Sequence, residues 1–228
     1  MSAVFVCMFF LPALLISVCI GNPYHPTILL PEPAPDSGIS IEEVIGSRRS
    51  IRTYGSESIS LAELARLLHS AQGITSDYGF RAAPSAGATF PLSILVIAEN
   101  VDSLEAGIYA YEPSNESLTA IRMGCFLDEL SEAALGQSCV RNSPLVIAIT
   151  AEYSITTSVY GNRGRTYVHM EAGHVSQNIY LQCTALGLGT VAVGAFSDNE
   201  VSEILNLAEN EIPLYLMPVG RPVEPLAE

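Results

Sequence analysis

TYVHMEAGHVSQNIYLQCTAL, Thr166–Leu186, carries two helical faces at once. Val168, Ala172, Val175 and Ile179 recur at i, i+4, i+7 and i+11 and make one apolar stripe. Tyr167, Met170, His174, Asn178 and Leu181 make a second face. A helix covered on two sides is expected at the centre of a molecule, packed on both. Gly187 or Gly189 is expected to end it. Around it lie continuous apolar runs that read as buried strands: SILVIA at Ser93–Ala98, PLVIAIT at Pro144–Thr150, TVAVGAF at Thr190–Phe196, and Leu214–Val219. Gly107–Glu112 and Ser117–Ile121 read as a hairpin turning at Pro113, Ser114 and Asn115.

Further helices follow from their start signals. Ser40 with Glu43 forms a capping box for a helix from Ile41 to about Ser47. Ser60 with Glu63 does the same for a helix carrying Leu61, Leu64, Leu67 and Leu68, ended by Gly73. Phe126–Leu135 is a helix, and Ser197 with Glu200 is expected to start another. Strands and helices intermix without strict βαβ alternation, and no repeat is present. The fold class is therefore α+β, with a mostly antiparallel sheet flanked by helices and one long central helix.

The N-terminus is different in kind. Residues 3 to 20 are uncharged and almost wholly apolar. As a helix they would span roughly 27 Å, close to the hydrocarbon thickness of a bilayer. Residues 1–21 are read as a signal peptide or a membrane anchor, with Cys19 in a loose lipoprotein-like box. No arginine or lysine follows before Arg48, which favours placing the domain outside the cytoplasm, although the cytoplasmic face stays open. Residues 22–38, with prolines at 23, 26, 31, 33 and 35, are expected to form an extended linker. The folded domain is expected over 39–224, with any membrane contact through the N-terminal segment only.

The formal net charge is -14, which argues against a nucleic-acid partner. All ten basic residues are arginines. Without lysine there is no Schiff-base chemistry and no Walker A phosphate loop. Cysteines 125, 139 and 183 show no C-x-x-C spacing and suggest neither a disulfide framework nor a zinc site. His169 and His174 lie five apart, about 140° round a helix, so they do not share a metal; Glu171 and His174 could pair at i, i+3. No G-x-S-x-G nucleophile elbow and no G-x-G-x-x-G before a helix is present.

Against that acidic background, Ser47-Arg48-Arg49-Ser50-Ile51-Arg52 concentrates guanidinium groups. It reads as a local anion site, since the arginine fork suits phosphate, or as surface arginines paired with carboxylates. The small-residue run Arg81–Ala88 reads as backbone that approaches a flat ligand closely, or as an ordinary loop.

Five ordered segments carry a family resemblance: Ser47–Arg52, Ala83–Leu92, Tyr167–His174 with Gln177 and Asn178, Leu186–Phe196, and Leu216–Pro222. Together they resemble the nitroreductase family, and most its azoline dehydrogenase-type (SagB/ThcOx) branch. The resemblance implies an FMN-binding homodimer with the flavin at the subunit interface and the long helix at the dimer contact. It places Arg48, Ser50 and Arg52 on the FMN phosphate and the polar flavin edge, with Arg49 beside them. It lays Pro84, Ser85, Ala86 and Gly87 along the flavin ring, and brings the N–H groups of Gly194 and Ala195 to its reactive nitrogen. Arg221 falls near a phosphate-binding basic position, and Gln137 near the ribityl or pyrimidine edge. The branch's catalytic Lys-Tyr pair is replaced by Arg165-Thr166-Tyr167, which leaves Tyr167 as the catalytic candidate and speaks against azoline synthesis.

The function so implied is an FMN-dependent oxidoreductase transferring hydride between NAD(P)H, or another donor, and a small acceptor. A membrane-tethered flavin-binding module without turnover and an azoline dehydrogenase of peptide modification are the alternatives.

Overall fold

The computed structural model describes residues 26–33 and 38–223. The leader expected at 1–21 and the rest of 22–25, 34–37 and 224–228 lie outside the described residues. The core is a seven-stranded sheet in the order β1-β4-β3-β2-β5-β7-β6. Its strands are β1 (Thr27–Leu29), β2 (Leu92–Ala98), β3 (Gly107–Glu112), β4 (Ser117–Met123), β5 (Leu145–Glu152), β6 (Gly189–Thr190) and β7 (Glu211–Gly220). Every paired neighbour is antiparallel. The helices are α1 (Ile41–Ser47), α2 (Leu61–Gln72), α3 (Leu127–Ala133), α4 (Ser138–Arg141), α5 (Tyr153–Tyr160), α6 (Arg163–Ala185) and α7 (Asp198–Leu205). The α+β class with a flanked antiparallel sheet is as expected.

Helices cover both sheet faces, and this explains the unbroken apolar runs in β2 and β5. Alternate residues of each strand enter two separate cores. Val96, Ile147 and Met217 pack with Leu64 and Leu68 of α2 and Val168, Val175 and Ile179 of α6. Leu95, Ile97, Val146 and Leu216 pack with Leu127 and Leu130 of α3 and Val201 and Leu205 of α7.

Local signals act as expected at α1 and α2. Ser40 accepts from the Glu43 N–H and Glu43 from the Ser40 N–H; Ser60 and Glu63 repeat the exchange. At α7 the box does not form. The Ser197 N–H that Glu200 would need already donates to the Ala133 carbonyl at 2.8 Å. Tertiary docking against the turn after α3 replaces the local cap.

Four further expectations need correction. The segment read as linker, 22–38, contributes β1, which pairs with Ser117–Thr119 on the sheet edge. Leu30 is buried behind it. Edge strands tolerate flanking prolines because one side of the ladder is free, so Pro26 and Pro31 frame the strand without breaking it. Secondly, TVAVGAF is not a continuous strand. Only Gly189–Thr190 joins β7, and Val193 makes an isolated bridge with Leu216. Between them the Ala192 N–H is diverted to the Tyr180 hydroxyl at 2.8 Å. Thirdly, α5 and α4 were not expected. The β-branched run in SITTSVY disfavours an isolated helix, and packing against α6 overrides that preference.

Lastly, the second face of α6 is only partly packed within a single chain: Asn178 donates to the carbonyls of Ser70 and Ala82, while Met170 and His174 are exposed. The first face, the stripe of Val168, Ala172, Val175 and Ile179, is buried, whereas Met170 stays 50% exposed. The helix ends in a Schellman motif: the Leu188 N–H reaches the Cys183 carbonyl at 2.8 Å, the Gly187 N–H reaches Thr184 at 3.1 Å, and Gly187 takes φ +69°.

Candidate functional site

The arginine cluster begins where α1 stops. Arg48 is the C-cap, with φ -52° and ψ 125°, so the chain leaves the helix extended. It is then pinned along one end of the sheet. The Ile51 N–H donates to the Thr190 carbonyl at 2.9 Å, and the Tyr54 hydroxyl to the Ile51 carbonyl at 2.7 Å. The absence of side chains at Gly189 and Gly220 makes this approach possible. A Cβ at Gly189 would stand 2.7 Å from Ile51, and one at Gly220 would stand 2.7 Å from Tyr54.

Tyr180 of α6 organises the cluster. Arg48 lies over its ring at 5.0 Å. Its hydroxyl accepts the Ala192 N–H and meets Ser50 Oγ at 2.9 Å. Arg52 is exposed beside a cleft of about 300 Å³ lined by Ser50, Ile51, Arg52, Thr53, Pro222 and Val223. Burial raises the nearby Cys139 thiol, and the Arg52 charge partly counters that rise. Among the described residues, Arg48, Arg49 and Arg52 have no carboxylate within ion-pair distance, while Arg141 and Arg221 do.

The members of the cluster are not equivalent. Arg49 turns back on α1 and donates to the carbonyls of Gly46 and Arg48, both at 2.9 Å. Arg221 sits next to the cleft-lining Pro222, but its guanidinium donates to both oxygens of Glu63, at 2.8 and 3.1 Å. Burial pushes the Glu63 carboxyl up, and hydrogen bonds from Ser60 and Arg221 more than reverse this, leaving it below the usual value. A depressed carboxyl contributes stability above its unfolded pKa, and that contribution is lost as pH falls through the folded pKa. Arg221→Ala is therefore expected to lower stability near neutral pH by an amount that shrinks as pH falls through the folded pKa of Glu63. Denaturant midpoints followed from neutral pH down the acid limb measure it, and a deficit that stays the same at every pH would exclude the effect.

Gly194 and Ala195 are exposed, and their N–H groups make no hydrogen bond among the described residues, though Val193 and Ser197 on either side do. Gln137, the N-cap of α4, uses its amide nitrogen to brace this turn, donating to the carbonyls of Ala134 at 2.9 Å and Ala195 at 3.0 Å. That nitrogen is engaged within the chain.

The loop Pro84–Gly87 lies elsewhere. It faces the N-terminal half of α6 across a cavity of about 230 Å³ lined by Pro84, Ser85, Ala86, Tyr167, Met170, Glu171 and His174. The loop is held in a costly conformation: Ala88 and Phe90 have φ +51° and +47°. Ser85 Oγ accepts the Phe90 N–H at 2.9 Å, and Thr89 Oγ1 meets Thr156 Oγ1 at 2.8 Å. Tyr167 stacks edge-on with Tyr160 at 5.2 Å. His169 points away, onto Tyr153. Among the described residues no group of His, Cys, Asp or Glu converges on a metal position.

In one copy of the chain the two patches are separated. Arg48 and Ser50 meet α6 at Tyr180, the loop at Tyr167 to His174. From His174, the cavity-lining residue nearest to it, Tyr180 is six residues on, about 9 Å along the helix. The cleft, the unbonded N–H groups at 194 and 195 and the small-residue loop are the parts a phosphate-bearing planar ligand needs, and the residues fit such a group.

Sequence reasoning passed over Glu171 as a buried group. It is 2% exposed. The signal was present: Glu171 stands three residues after Val168 and four before Val175, at the margin of the buried stripe.

Comparison with known proteins bears on this arrangement. The model of the nitroreductase family matches residues 45–221. A protein of Methanocaldococcus jannaschii that carries the name nitroreductase is 50% identical over 186 residues, covering 82% of this chain and 93% of the relative. A crystal structure from Anabaena variabilis, also named as a nitroreductase, superposes with TM-score 0.78 at 31% identity; it covers 88% of this chain, which spans only 42% of that one. An NADPH:FMN oxidoreductase of Vibrio harveyi, solved in complex with NAD+, shares the fold at TM-score 0.60 and 20% identity, over 81% of this chain and 70% of its own.

Proposed function

The chain belongs to the nitroreductase family, and from that premise we propose that it is an FMN-dependent oxidoreductase, transferring hydride from NAD(P)H or another donor to a small acceptor. The observation that carries this reading is the state of Arg48 and Arg52. In a chain of net charge -14, both are left without a carboxylate partner among the described residues, beside the Ser50 hydroxyl. Two such cations, without an ion pair among the described residues, suit a phosphate dianion.

In this reading Arg48, Ser50 and Arg52 hold the FMN phosphate, and Arg49 fixes the end of α1 behind them. Pro84, Ser85, Ala86 and Gly87 border the ring, and Gly194 and Ala195 offer backbone donors to its edge. FMN supplies the two-electron hydride chemistry, while the chain orients the ligand and excludes water. Tyr167 stands at the acceptor side. The separation of the arginines and the loop along α6 is closed by a homodimer, in which a second copy brings its loop to the first copy's arginines. Exposed Ile41, Ile45, Val159 and Met170 support a covered face around α1, α5 and α6.

The apolar residues 3 to 20 support a membrane-tethered or exported domain, tested by fractionating cells that express the full chain. Azoline formation is disfavoured by the missing lysine.

The test is spectroscopic. Purified full-length chain is expected to show bound flavin that NADH or NADPH bleaches anaerobically and that a quinone restores. Bound flavin bleached by dithionite but by neither nicotinamide would favour a donor of another class, or the module without turnover if no acceptor restores it. Colourless protein that takes up no FMN would end the proposal.

A further inference from the structure

Glu171 is the one buried carboxylate among the described residues; the Ser85 hydroxyl and the Gln72 amide are its nearest donors, and neither reaches full hydrogen-bond geometry with its oxygens. The Gln72 amide nitrogen is buried and unpartnered as well, while the Gln72 carbonyl accepts from Arg81 at 2.9 Å. Burial raises the Glu171 carboxyl above its ordinary pKa. The Ser85 hydroxyl, the Arg81 charge, the Gln72 amide and the His174 charge lie near enough to pull it partly back. An ionised carboxylate without full hydrogen bonds is costly in such a place, so burial shifts the balance toward the protonated acid.

Its surroundings give that proton somewhere to go. Tyr167, Glu171 and His174 fall at i, i+4 and i+7, one face of α6, and all three line the cavity under Pro84–Ala86. His174 is exposed. Ser85, already accepting from the Phe90 N–H, has one hydrogen to donate, and the Glu171 carboxyl lies near it. The charged groups facing Glu171 are Arg81, from the loop after α2, and His174, from α6 itself; α2 supplies neutral Gln72. Arg81 in turn faces Glu112 and Tyr111 of β3.

We propose that Glu171 and Ser85 form a proton-delivery arm: Glu171 stores a proton out of water, Ser85 relays it to an acceptor oxygen in the cavity, and His174 replenishes it from solvent. The inference rests on the oxidoreductase reading and adds the residues that supply the proton an acceptor takes up with its hydride. The reduced donor loses a hydride with its electron pair and is oxidised by two electrons. The acceptor gains that pair and develops an oxyanion. The Ser85 O–H breaks as the acceptor O–H forms, and the Glu171 O–H breaks as Ser85 regains its hydrogen. Glu171 ends as a carboxylate and is reprotonated through the His174 imidazolium.

The experiment uses full-length chain loaded with FMN, reduced with dithionite and mixed with either duroquinone or ferricyanide. Duroquinone needs a proton; ferricyanide takes electrons alone. For Glu171→Gln the ratio of the quinone rate to the ferricyanide rate is expected to fall by about a hundredfold, with the pH dependence of the quinone rate lost. Ser85→Ala, which leaves the buried carboxyl in place, should give the same pattern. Equal slowing of both acceptors, or of neither, would overturn the proposal.

A second readout needs no flavin. At about pH 5.5, where an ordinary glutamate is ionised, the infrared spectrum of wild-type chain should show a protonated carboxyl band that Glu171→Gln removes. Absence of the band overturns the proposal whatever FMN does. A chain that shows the band but takes up no FMN ends the oxidoreductase reading, and the relay falls with it for that separate reason.

Discussion

Replacing Arg48 and Arg52 together by alanine is expected to strip FMN from the chain while leaving the fold intact. Arg52 is exposed and Arg48 half-buried, and neither holds a carboxylate among the described residues, so their removal breaks no ion pair. Arg48 loses only its stacking on Tyr180. Toward a phosphate the same groups count for more. Each charge-assisted hydrogen bond contributes about 1.5–3 kcal/mol, so losing two weakens binding by about a hundredfold or more. Titration of apo-protein with FMN, read by quenching of flavin fluorescence, measures it. Arg141→Ala is the control, since Arg141 is engaged with Asp128 and Glu132 away from the cleft. Equal FMN affinity in the double variant and the control would show that the phosphate is held elsewhere.

The largest effect on stability is expected at Ile147. It sits in the middle of β5, fully buried, opposite Val96 of β2 and Met217 of β7. Its side chain enters the core shared with α2 and α6. Neighbours held by two ladders cannot collapse into the space that Ile147→Ala would leave. The expected loss is about 2–5 kcal/mol, seen as a lower denaturant midpoint with an unchanged slope. A loss below about 1 kcal/mol would mean that this core repacks freely and that β5 is not the rigid centre of the sheet.

Legibility followed how local each determinant is. The boxes at Ser40–Glu43 and Ser60–Glu63 involve one turn of chain each, and both form. The pair at Ser197 and Glu200 has the same spacing and fails, because the Ala133 carbonyl, distant in sequence, takes the N–H first. SILVIA and PLVIAIT read as buried strands because both sheet faces are covered, which leaves no polar alternation. β1 was hidden by its flanking prolines, and α5 by β-branched residues that only contact with α6 makes helical.

The site divides in the same way. That Ser47–Arg52 is rich in anion-binding side chains is plain from residue type. That Arg49 caps α1 and that Arg221 answers Glu63 depend on tertiary geometry. Glu171 was read only as an i, i+3 partner for His174; its place at the margin of the buried stripe pointed inward, and the Pro84 loop covers it.

The account turns on a phosphate-bearing flavin held by Arg48 and Arg52, and the most direct measurement is the absorbance spectrum of full-length chain after gel filtration in the presence of excess FMN. The account predicts flavin bands that travel with the protein in stoichiometric amount. Protein that emerges without them, with all the added flavin in the small-molecule fractions, would contradict it.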